Sequence, residues 1–155
     1  MFRILALISW GLAANTAVAQ ETVISSAPVM WDNNRSTAFD ATSVNIDDFI
    51  WLARPVVVFA DSPNDPRFSQ QIELLSARSD ELAERDVIIL TDTDPAARSD
   101  LRVQLRPRGF MLVIMGKDGE VELRKPEPWS VREISRTIDK MPLREQEVDD
   151  RRALP

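Results

Sequence analysis

The polar residues best placed for chemistry lie in the loop of residues 61–67, written DSPNDPR. Asp61 and Asp65 supply carboxylates, Ser62 a hydroxyl and Arg67 a guanidinium. If a helix begins here, its first backbone N–H groups could hold an anion together with Arg67 and Ser62. These four residues are therefore the candidate ligand-binding loop.

The same residues also have a purely structural interpretation. Asp65 can cap the helix, while Arg67 pairs with Asp61 or with Asp65. An Asp-Pro-Arg sequence is ordinary at a helix start, because proline suits the first helical position. The two carboxylates also disfavour an anion by their negative charge. The sequence favours the cap and leaves the binding site, or an enzyme built on the loop, as the alternative.

The composition excludes several kinds of chemistry, because the 155 residues include no cysteine and no histidine. Disulfide exchange and peroxide reduction at a thiol need a cysteine thiolate, so both activities are excluded. A serine nucleophile needs a base, and an ordinary zinc site prefers the two missing residue types. We therefore expect no catalytic residue, no metal and no cofactor.

Acidic residues elsewhere give weaker signals. Asp92, Asp94 and Asp100 resemble part of a calcium loop, but Ala96 occupies a ligand position and no glycine or distal glutamate completes the pattern. Paired carboxylates could serve acid–base catalysis, yet 25 acidic residues make chance pairs common. No metal site is predicted from these residues.

Apolar patterns predict the strands that hold the loop. The run VVVFA, residues 56–60, is β-branched and aromatic, which is typical of a strand covered on both faces. Further strands are predicted at 86–91, 109–115 and 120–124. The sequence GKDG joins the last two as a hairpin turn, with Gly119 supplying the positive φ that such a turn needs.

Helices are predicted where a capping residue precedes an apolar stripe. The caps are Asn45, Asp65, Asp94 and Ser130, and Glu133 completes a capping box with Ser130. The predicted inner faces are Ile46, Phe49, Ile50 and Leu52; Phe68, Ile72, Leu75 and Leu82; Ala97, Leu101 and Leu105; and Val131, Ile134, Ile138 and Met141.

The order β-α-β-α-β-β-α predicts an α/β protein of thioredoxin-like arrangement, with a central mixed four-stranded sheet flanked by helices. This domain is expected to span 45–142. Residues 20–44 are polar and small, and we expect an extended lead with a short strand near 29–31. Residues 143–155 are predicted to form a charged C-terminal tail that frays.

The first 19 residues have the pattern of a secretory signal peptide. Arg3 precedes the apolar run 4–14, which is well short of the ~20 residues that span a bilayer. The small-x-small site Ala17-Val18-Ala19 predicts cleavage before Gln20. We expect an exported protein, periplasmic or secreted from a bacterium, with no membrane span after signal cleavage.

The predicted mature chain carries 18 cations and 25 acids, a net charge of −7. Nucleic acids and anionic membrane surfaces attract clustered lysine and arginine. We therefore expect no nucleic-acid partner, and the partner is predicted to be a protein or a small ligand of the envelope.

Several blocks of the sequence are similar to a known family. VFADSPNDPRFSQQ, GFMLVIMGKDGEVELR, EPWSVREISRTIDKMP and LREQE resemble the bacterial family of domain of unknown function 4174, over about residues 48–147. The resemblance implies a thioredoxin-like or peroxiredoxin-like fold. It also implies kinship with a module of vertebrate sushi-repeat-containing secreted proteins and of equarin. It brings no established activity.

Thioredoxin-type sequences can be laid on this chain without gaps at two places. Matching the strand end VFA puts the two redox cysteines at Pro63 and Pro66, and matching KDGEV puts the cis-proline at Met111. All three signature positions are thus replaced, in agreement with the absence of thiol chemistry.

Three functions compete on this evidence. The favoured one is a non-catalytic binding or interaction module, and the alternatives are a thiol-independent enzyme at the 61–67 loop and an acidic structural protein of the envelope. Trp31, Trp51 and Trp129 could line a binding groove, although partial burial at the domain edge is the favoured interpretation. Carboxylates facing an open cleft would favour the enzyme, and an apolar patch near Trp31 or Trp129 would favour a protein partner.

Overall fold

The computed structural model describes residues 26–154, so the predicted signal peptide lies outside the described residues. Five strands form one mixed sheet. They are β1 Ala38–Asp40, β2 Arg54–Phe59, β3 Val87–Asp92, β4 Met111–Met115 and β5 Val121–Lys125. Their order is β1-β3-β2-β4-β5; β1, β3 and β2 are parallel, and β4 and β5 are antiparallel to their neighbours.

Helices cover both faces of this sheet. They are α1 Ala27–Asn33, α2 Pro66–Ser76, α3 Ser79–Ala83, α4 Asp100–Leu105, α5 Val131–Asp139 and α6 Pro142–Ala153, with short 3-10 helices at Ile46–Phe49 and Pro95–Ala97. Apolar residues of α1, α4 and the first 3-10 helix pack on one face. Those of α2, α3 and α5 pack on the other. This is the predicted α/β arrangement.

The central strand β2 shows why the apolar runs are continuous. Val57 and Phe59 belong to the core on one face, whereas Val56 and Val58 belong to the core on the other. Successive strand residues point to opposite faces, so a strand covered on both sides needs an apolar residue at every position. The prediction of a doubly buried strand is confirmed.

Local capping chemistry agrees with the sequence at several points. The side chain of Asp65 accepts a hydrogen bond from the backbone N–H of Arg67 at the start of α2. Ser130 and Glu133 form both hydrogen bonds of a capping box at the start of α5. Gly119 has a φ of 82° in the β4–β5 turn. These three predictions are confirmed.

The N-terminal lead differs from the prediction. The segment around 29–31 is part of α1 rather than a strand, with a proline in the first helical turn. Trp31 is buried, and its Nε1 donates to the carbonyl of Val87 at 3.1 Å. The strand of this region is β1 instead, which pairs with β3 and gives the sheet one strand more than the predicted four. Only Phe39 of β1 is buried, so a period of two is invisible in its sequence.

Some predicted inner faces are also corrected. Ile50 and Leu52 were expected to be buried but are exposed, because the first 3-10 helix ends at Phe49 and Trp51 adopts a φ of 65°. Ala97 is exposed because it lies in the short 3-10 turn that precedes α4. The stripe that was predicted to continue to 82 is divided between α2 and α3.

The charged tail forms a helix rather than fraying. Pro142 lies beyond the end of α5 and occupies the first turn of α6, a position that suits proline. Arg144 is buried, and its Nη1 donates to Glu147 Oε2 one turn later at 3.3 Å. Apolar patterning cannot reveal a helix that is anchored by ion pairs.

Candidate functional site

The predicted loop lies where β2 ends and α2 begins, and Asp65 is bound twice there. Its Oδ1 accepts from the backbone N–H of Arg67 at 2.9 Å, as a helix cap does. The guanidinium of Arg67 also donates to both carboxylate oxygens, at 3.2 Å from Nε and 2.9 Å from Nη2. The side-chain and then the backbone hydrogen bond from Arg67 lower the pKa of Asp65.

The remaining loop residues line one depression that is open to solvent. Its volume is about 440 Å³, and its lining residues are Asp61, Ser62, Asn64, Asp65, Pro66 and Arg67. Ser62 Oγ accepts from the backbone N–H of Asn64 at 3.2 Å and so shapes the turn. The structure therefore brings the four predicted residues together, with Asp65 and Arg67 occupied by each other.

The positions that replace the redox residues are adjacent to this depression. Pro63 lies in the exposed turn, and Pro66 is the first residue of α2. Met111 begins β4, where it pairs with Phe59 at the end of β2. The three substitutions thus lie together at the carboxyl end of the central strand.

Behind the loop, a buried network that the sequence did not predict joins β3 to α4. Arg102 Nε and Nη2 donate to Asp92 Oδ1 at 3.0 and 2.8 Å, and Nη2 also donates to the carbonyl of Ala60 at 2.7 Å. Ser99 caps α4 and donates its hydroxyl to Asp92. Arg102 Nη1 reaches Asp61 Oδ1 at 3.4 Å. These contacts fix the floor of the loop.

We refer to Asp61, Asp65, Arg67, Asp92, Ser99 and Arg102 as the carboxyl-end cluster, because it lies at the carboxyl ends of β2 and β3. Two residues of the incomplete calcium-loop pattern have other partners in the structure. Asp92 binds Arg102, while Asp94 caps the short 3-10 helix through the N–H of Ala96. Within residues 26–154, no group of three or more potential ligands is arranged to hold a metal ion.

The carboxyl groups of the carboxyl-end cluster are poorly suited to general acid–base catalysis. A general acid or base that works near neutral pH needs a carboxyl pKa raised by burial or by like charge. The pKa of Asp65 moves the opposite way, and Asp92 is held by Arg102 and Ser99. The geometry is that of a helix cap above a structural ion pair.

A second charged group lies at the opposite end of the same strands. Arg54 at the start of β2 is fully buried, and its Nη2 donates to Glu147 Oε1 of α6 at 3.0 Å. Lys117 Nζ bridges Glu147 Oε1 at 2.8 Å and Asp86 Oδ2 at 2.9 Å. Arg35 pairs with the other oxygen of Asp86 at 2.5 Å. We call Arg54, Asp86, Lys117 and Glu147 the amino-end cluster.

The ion pairs of the amino-end cluster lower the pKa of both of its carboxyl groups. Burial by itself raises the pKa of Glu147, but the hydrogen bonds from Lys117 and Arg54 outweigh it and lower the pKa to about 2. In Asp86 burial is likewise outweighed, by Lys117 and Arg35, so its pKa is also lowered. Both groups are therefore ionised carboxylates at neutral pH.

One donor of the amino-end cluster is unused. Arg54 Nη1 donates to the carbonyl of Arg85 at 3.0 Å and Nη2 to Glu147, whereas the buried Nε has no hydrogen-bond partner among residues 26–154. Arg54 also lines a pocket of about 160 Å³ between the β4–β5 turn and the start of α6. The signal in the sequence is an arginine directly before the buried run PVVVF.

The three tryptophans do not form one groove. Trp31 is buried in the core on one face of the sheet, whereas Trp129 packs against the core on the other. The Trp129 ring lies under Lys125 Nζ at 4.5 Å. Trp51 is separate from both cores, and 64% of its surface is exposed.

Exposed apolar side chains occur on two segments, α1 and the turn after the first 3-10 helix, and we call these residues the Trp51 patch: Val29, Met30, Ile50, Trp51 and Leu52. Val29 and Leu52 line the same depression of about 360 Å³, together with Trp31, so the two segments are contiguous. The left-handed φ of Trp51 is 65°, and its backbone N–H donates to the carbonyl of Lys117 at 2.7 Å. The fold thus holds this turn in place.

Comparisons with known proteins agree with this fold. The family model described as Domain of unknown function (DUF4174) matches residues 45–147. Reduced desulfothioredoxin from Desulfovibrio vulgaris Hildenborough is 20% identical, with 68% of this chain and 98% of that protein covered and a TM-score of 0.50. Prx1a of Plasmodium yoelii, modified at its N-terminus, is also 20% identical, with 66% and 81% covered and a TM-score of 0.52. At such identity the likeness shows the thioredoxin-like fold alone.

Proposed function

The chain belongs to the DUF4174 family, and we propose that it is an exported, non-catalytic thioredoxin-like module that binds a protein partner. The observation that carries this proposal is the Trp51 patch beside Trp31. Contiguous apolar surface on a folded protein favours an interaction site, and tryptophan is enriched among residues that dominate binding energy.

The backbone at Trp51 supports the same proposal. Left-handed φ values are uncommon for bulky residues and cost free energy unless the surrounding structure imposes them. Here the turn presents a large ring to solvent, between Ile50 and Leu52, which are exposed by 37% and 50%. A surface selected for solubility alone gains nothing from this arrangement.

Charge near the patch indicates the chemistry of the partner. Asp47 and Asp48 precede Ile50 and are exposed, whereas Asp32, which follows the apolar residues of α1, is paired with Arg35 at 2.8 Å. The predicted mature chain is also acidic overall. We propose that the partner is a protein segment whose apolar side chains are flanked by lysine or arginine, because opposite charges steer association and suppress wrong partners.

The enzyme alternative has less support. Its candidate residues are occupied, since Asp65 caps α2 and binds Arg67. The absence of cysteine from the chain also removes the chemistry that thioredoxin-like loops commonly carry. An insulin-reduction assay with dithiothreitol should accordingly run no faster than its blank.

A peptide-display selection tests the binding proposal. A random peptide library is selected on the purified protein and counter-selected on Leu52→Ser. We expect enrichment of apolar residues flanked by lysine or arginine. Val103→Ser is the matched control, since Val103 on α4 is exposed by 51% and Leu52 by 50%. It should bind the selected peptides as the parent does. Enrichment that survives in Leu52→Ser, or of acidic peptides, would overturn the proposal.

Export is proposed on the signal-peptide pattern and is tested separately. The intact mass of protein recovered from the periplasm or medium should correspond to a chain that begins at Gln20. Retention of residues 1–19 in a membrane fraction would contradict it. Within residues 26–154, no helix combines the length and the apolar character needed to cross a bilayer.

A further inference from the structure

One residue of the β4–β5 turn, Lys117, contacts both the Trp51 patch and α6. Its backbone carbonyl accepts the N–H of Trp51 at 2.7 Å. Its Nζ binds Asp86 Oδ2 at 2.9 Å and Glu147 Oε1 of α6 at 2.8 Å. We propose that Lys117 is a positioning residue for the Trp51 patch and links this surface to α6. The inference rests on the proposed function, in which the Trp51 patch binds the partner.

The backbone hydrogen bond from Trp51 to the turn matters because Trp51 has a left-handed φ of 65°. A bulky residue keeps this conformation only where the surrounding structure imposes it. The turn also lies directly against the patch, since a Cβ added to Gly119 would lie 4.0 Å from Ile50 Cδ1. Displacement of the β4–β5 turn would therefore release the Trp51 backbone and remove a neighbour of Ile50.

The side chain of Lys117 fixes the position of this turn. It is only 13% exposed and lies between carboxylates of two other elements, Asp86 directly before β3 and Glu147 on α6. Hydrogen bonds between charged groups are stronger than neutral ones, and salt screens partly buried pairs less than exposed pairs. The ammonium group thus attaches the turn both to the sheet and to the C-terminal helix.

Asp86 also supports the other segment of the patch. Its second carboxylate oxygen pairs with Arg35 at 2.5 Å, and the Arg35 guanidinium carbon lies 4.5 Å from the centre of the Trp31 ring. Arg35 and Trp31 line the depression that also contains Val29 and Leu52. Lys117 and Asp86 together therefore connect α6 to both segments of the Trp51 patch.

Hydrogen exchange of the Trp51 backbone N–H, measured by NMR on the purified protein, tests this link without any partner. Lys117→Met removes the ammonium group and keeps the backbone carbonyl. We expect exchange at Trp51 to become at least about tenfold faster relative to exchange at Ala60, whose N–H donates to the carbonyl of Asp92 at the carboxyl end of the sheet. Lys140→Met is the control, because Lys140 is exposed and forms no ion pair in the described part of the chain. It should leave this ratio unchanged.

Binding of the peptides selected on the parent protein then tests whether this positioning matters for recognition. Loss of the Lys117 charge alone makes the surface more acidic and should strengthen binding of a peptide flanked by lysine or arginine. Loss of the patch geometry should weaken it. We expect Lys117→Met to weaken peptide binding about tenfold, Lys117→Arg to recover most of the affinity because it keeps a cation, and Lys140→Met to bind as the parent does.

The outcomes separate this inference from the proposed function. An unchanged exchange ratio in Lys117→Met, or peptide binding that is unchanged or tighter, would reject the role of Lys117 and leave the Trp51 patch as the binding site. A parent protein that selects no peptide would instead reject the proposed function, and the exchange ratio would still decide whether Lys117 holds the turn. If Lys117→Met fails to fold, Glu147→Gln replaces it in the exchange measurement, with faster exchange at Trp51 again expected, because it removes the α6 carboxylate and keeps the lysine.

Discussion

The two ends of the central sheet carry charged clusters of similar composition and opposite character. At the carboxyl end, Arg102 donates from Nε and both terminal nitrogens to protein acceptors, and Asp65 is bound by Arg67 in the loop above it. At the amino end, Arg54 is more deeply buried than Arg102, yet one of its donors has no partner in the described part of the chain.

The difference separates the end of the sheet that lies beside the 61–67 loop from the end where a buried charge is compensated by a helix outside the sheet. Sequence matching with thioredoxin-type proteins predicts the positions of their redox cysteines at Pro63 and Pro66, which lie beside a capped helix at the carboxyl end. At the amino end, Glu147 from α6 is what compensates the buried charge of Arg54. The C-terminal helix is thus part of the electrostatics of the domain and is not an appendage.

The largest predicted effect concerns that compensation. Among residues 26–154, Glu147→Ala leaves the fully buried Arg54 guanidinium with only the carbonyl of Arg85 as partner. Removing one member of a buried ion pair costs about 3–5 kcal/mol, because the other charge remains desolvated. We expect the free energy of unfolding in urea to fall by about 3 kcal/mol or more.

A control in the same helix makes this result specific. Asp150 is exposed, and no ion pair of its side chain occurs among residues 26–154. Asp150→Ala should therefore change the free energy of unfolding by at most about 0.5 kcal/mol. Equal stability of Glu147→Ala and Asp150→Ala would show that the amino-end cluster contributes little to folding.

Lowering the pH should also remove the stability that Glu147 contributes. This loss should be slightly smaller than that caused by Glu147→Ala. The pKa of Glu147 falls from 4.5 to about 2 in the folded protein. A depressed folded pKa adds stability above the unfolded pKa, and this stability is lost as pH falls through the folded one. The stability difference between the parent and Glu147→Gln should therefore shrink by about 3 kcal/mol between pH 5 and pH 2.

Urea melts of both proteins across this range measure that difference directly. Asp65 and Glu133, whose pKa values are lowered by partners outside the amino-end cluster, titrate in both proteins and cancel, whereas Asp86 shares Lys117 with Glu147. Parallel stability curves for the parent and Glu147→Gln would contradict the assigned pKa and the strength of the Arg54–Glu147 pair.

The sequence was informative where structure is local or apolar. Asp65, Ser130 and Gly119 could be assigned because capping and turn chemistry act within a few residues. The doubly buried β2 could be assigned because its environment requires apolar residues throughout. The order of the elements predicted the thioredoxin-like fold, and the family resemblance strengthened this prediction, which the comparisons support.

Ion pairs between residues that are far apart in the sequence could not be predicted in this way. Arg54 and Glu147 are separated by 93 positions in the chain, and nothing in either neighbourhood identifies the partner. α6 was predicted to fray for the same reason, since ion pairs to distant residues hold it. Of the carboxyl-end cluster, the loop residues were predicted, whereas the Asp92–Ser99–Arg102 network depends on where α4 docks.

The smallest predicted effect decides whether the 61–67 loop is a cap or a binding site. Asp65 contributes both a cap to α2 and an ion pair with Arg67. Asp65→Ala removes both, Asp65→Asn keeps a good N-cap but removes the charge, and Arg67→Ala removes the ion pair alone. Exposed ion pairs contribute little, whereas loss of a cap is measurable. We therefore expect Asp65→Ala to melt several degrees below the parent, and the other two variants close to it.

A loop held under strain for a ligand would respond in the opposite sense, because functional sites often reduce stability. An Asp65→Ala protein as stable as the parent would thus remove the cap interpretation and make the 61–67 loop the leading ligand-binding candidate.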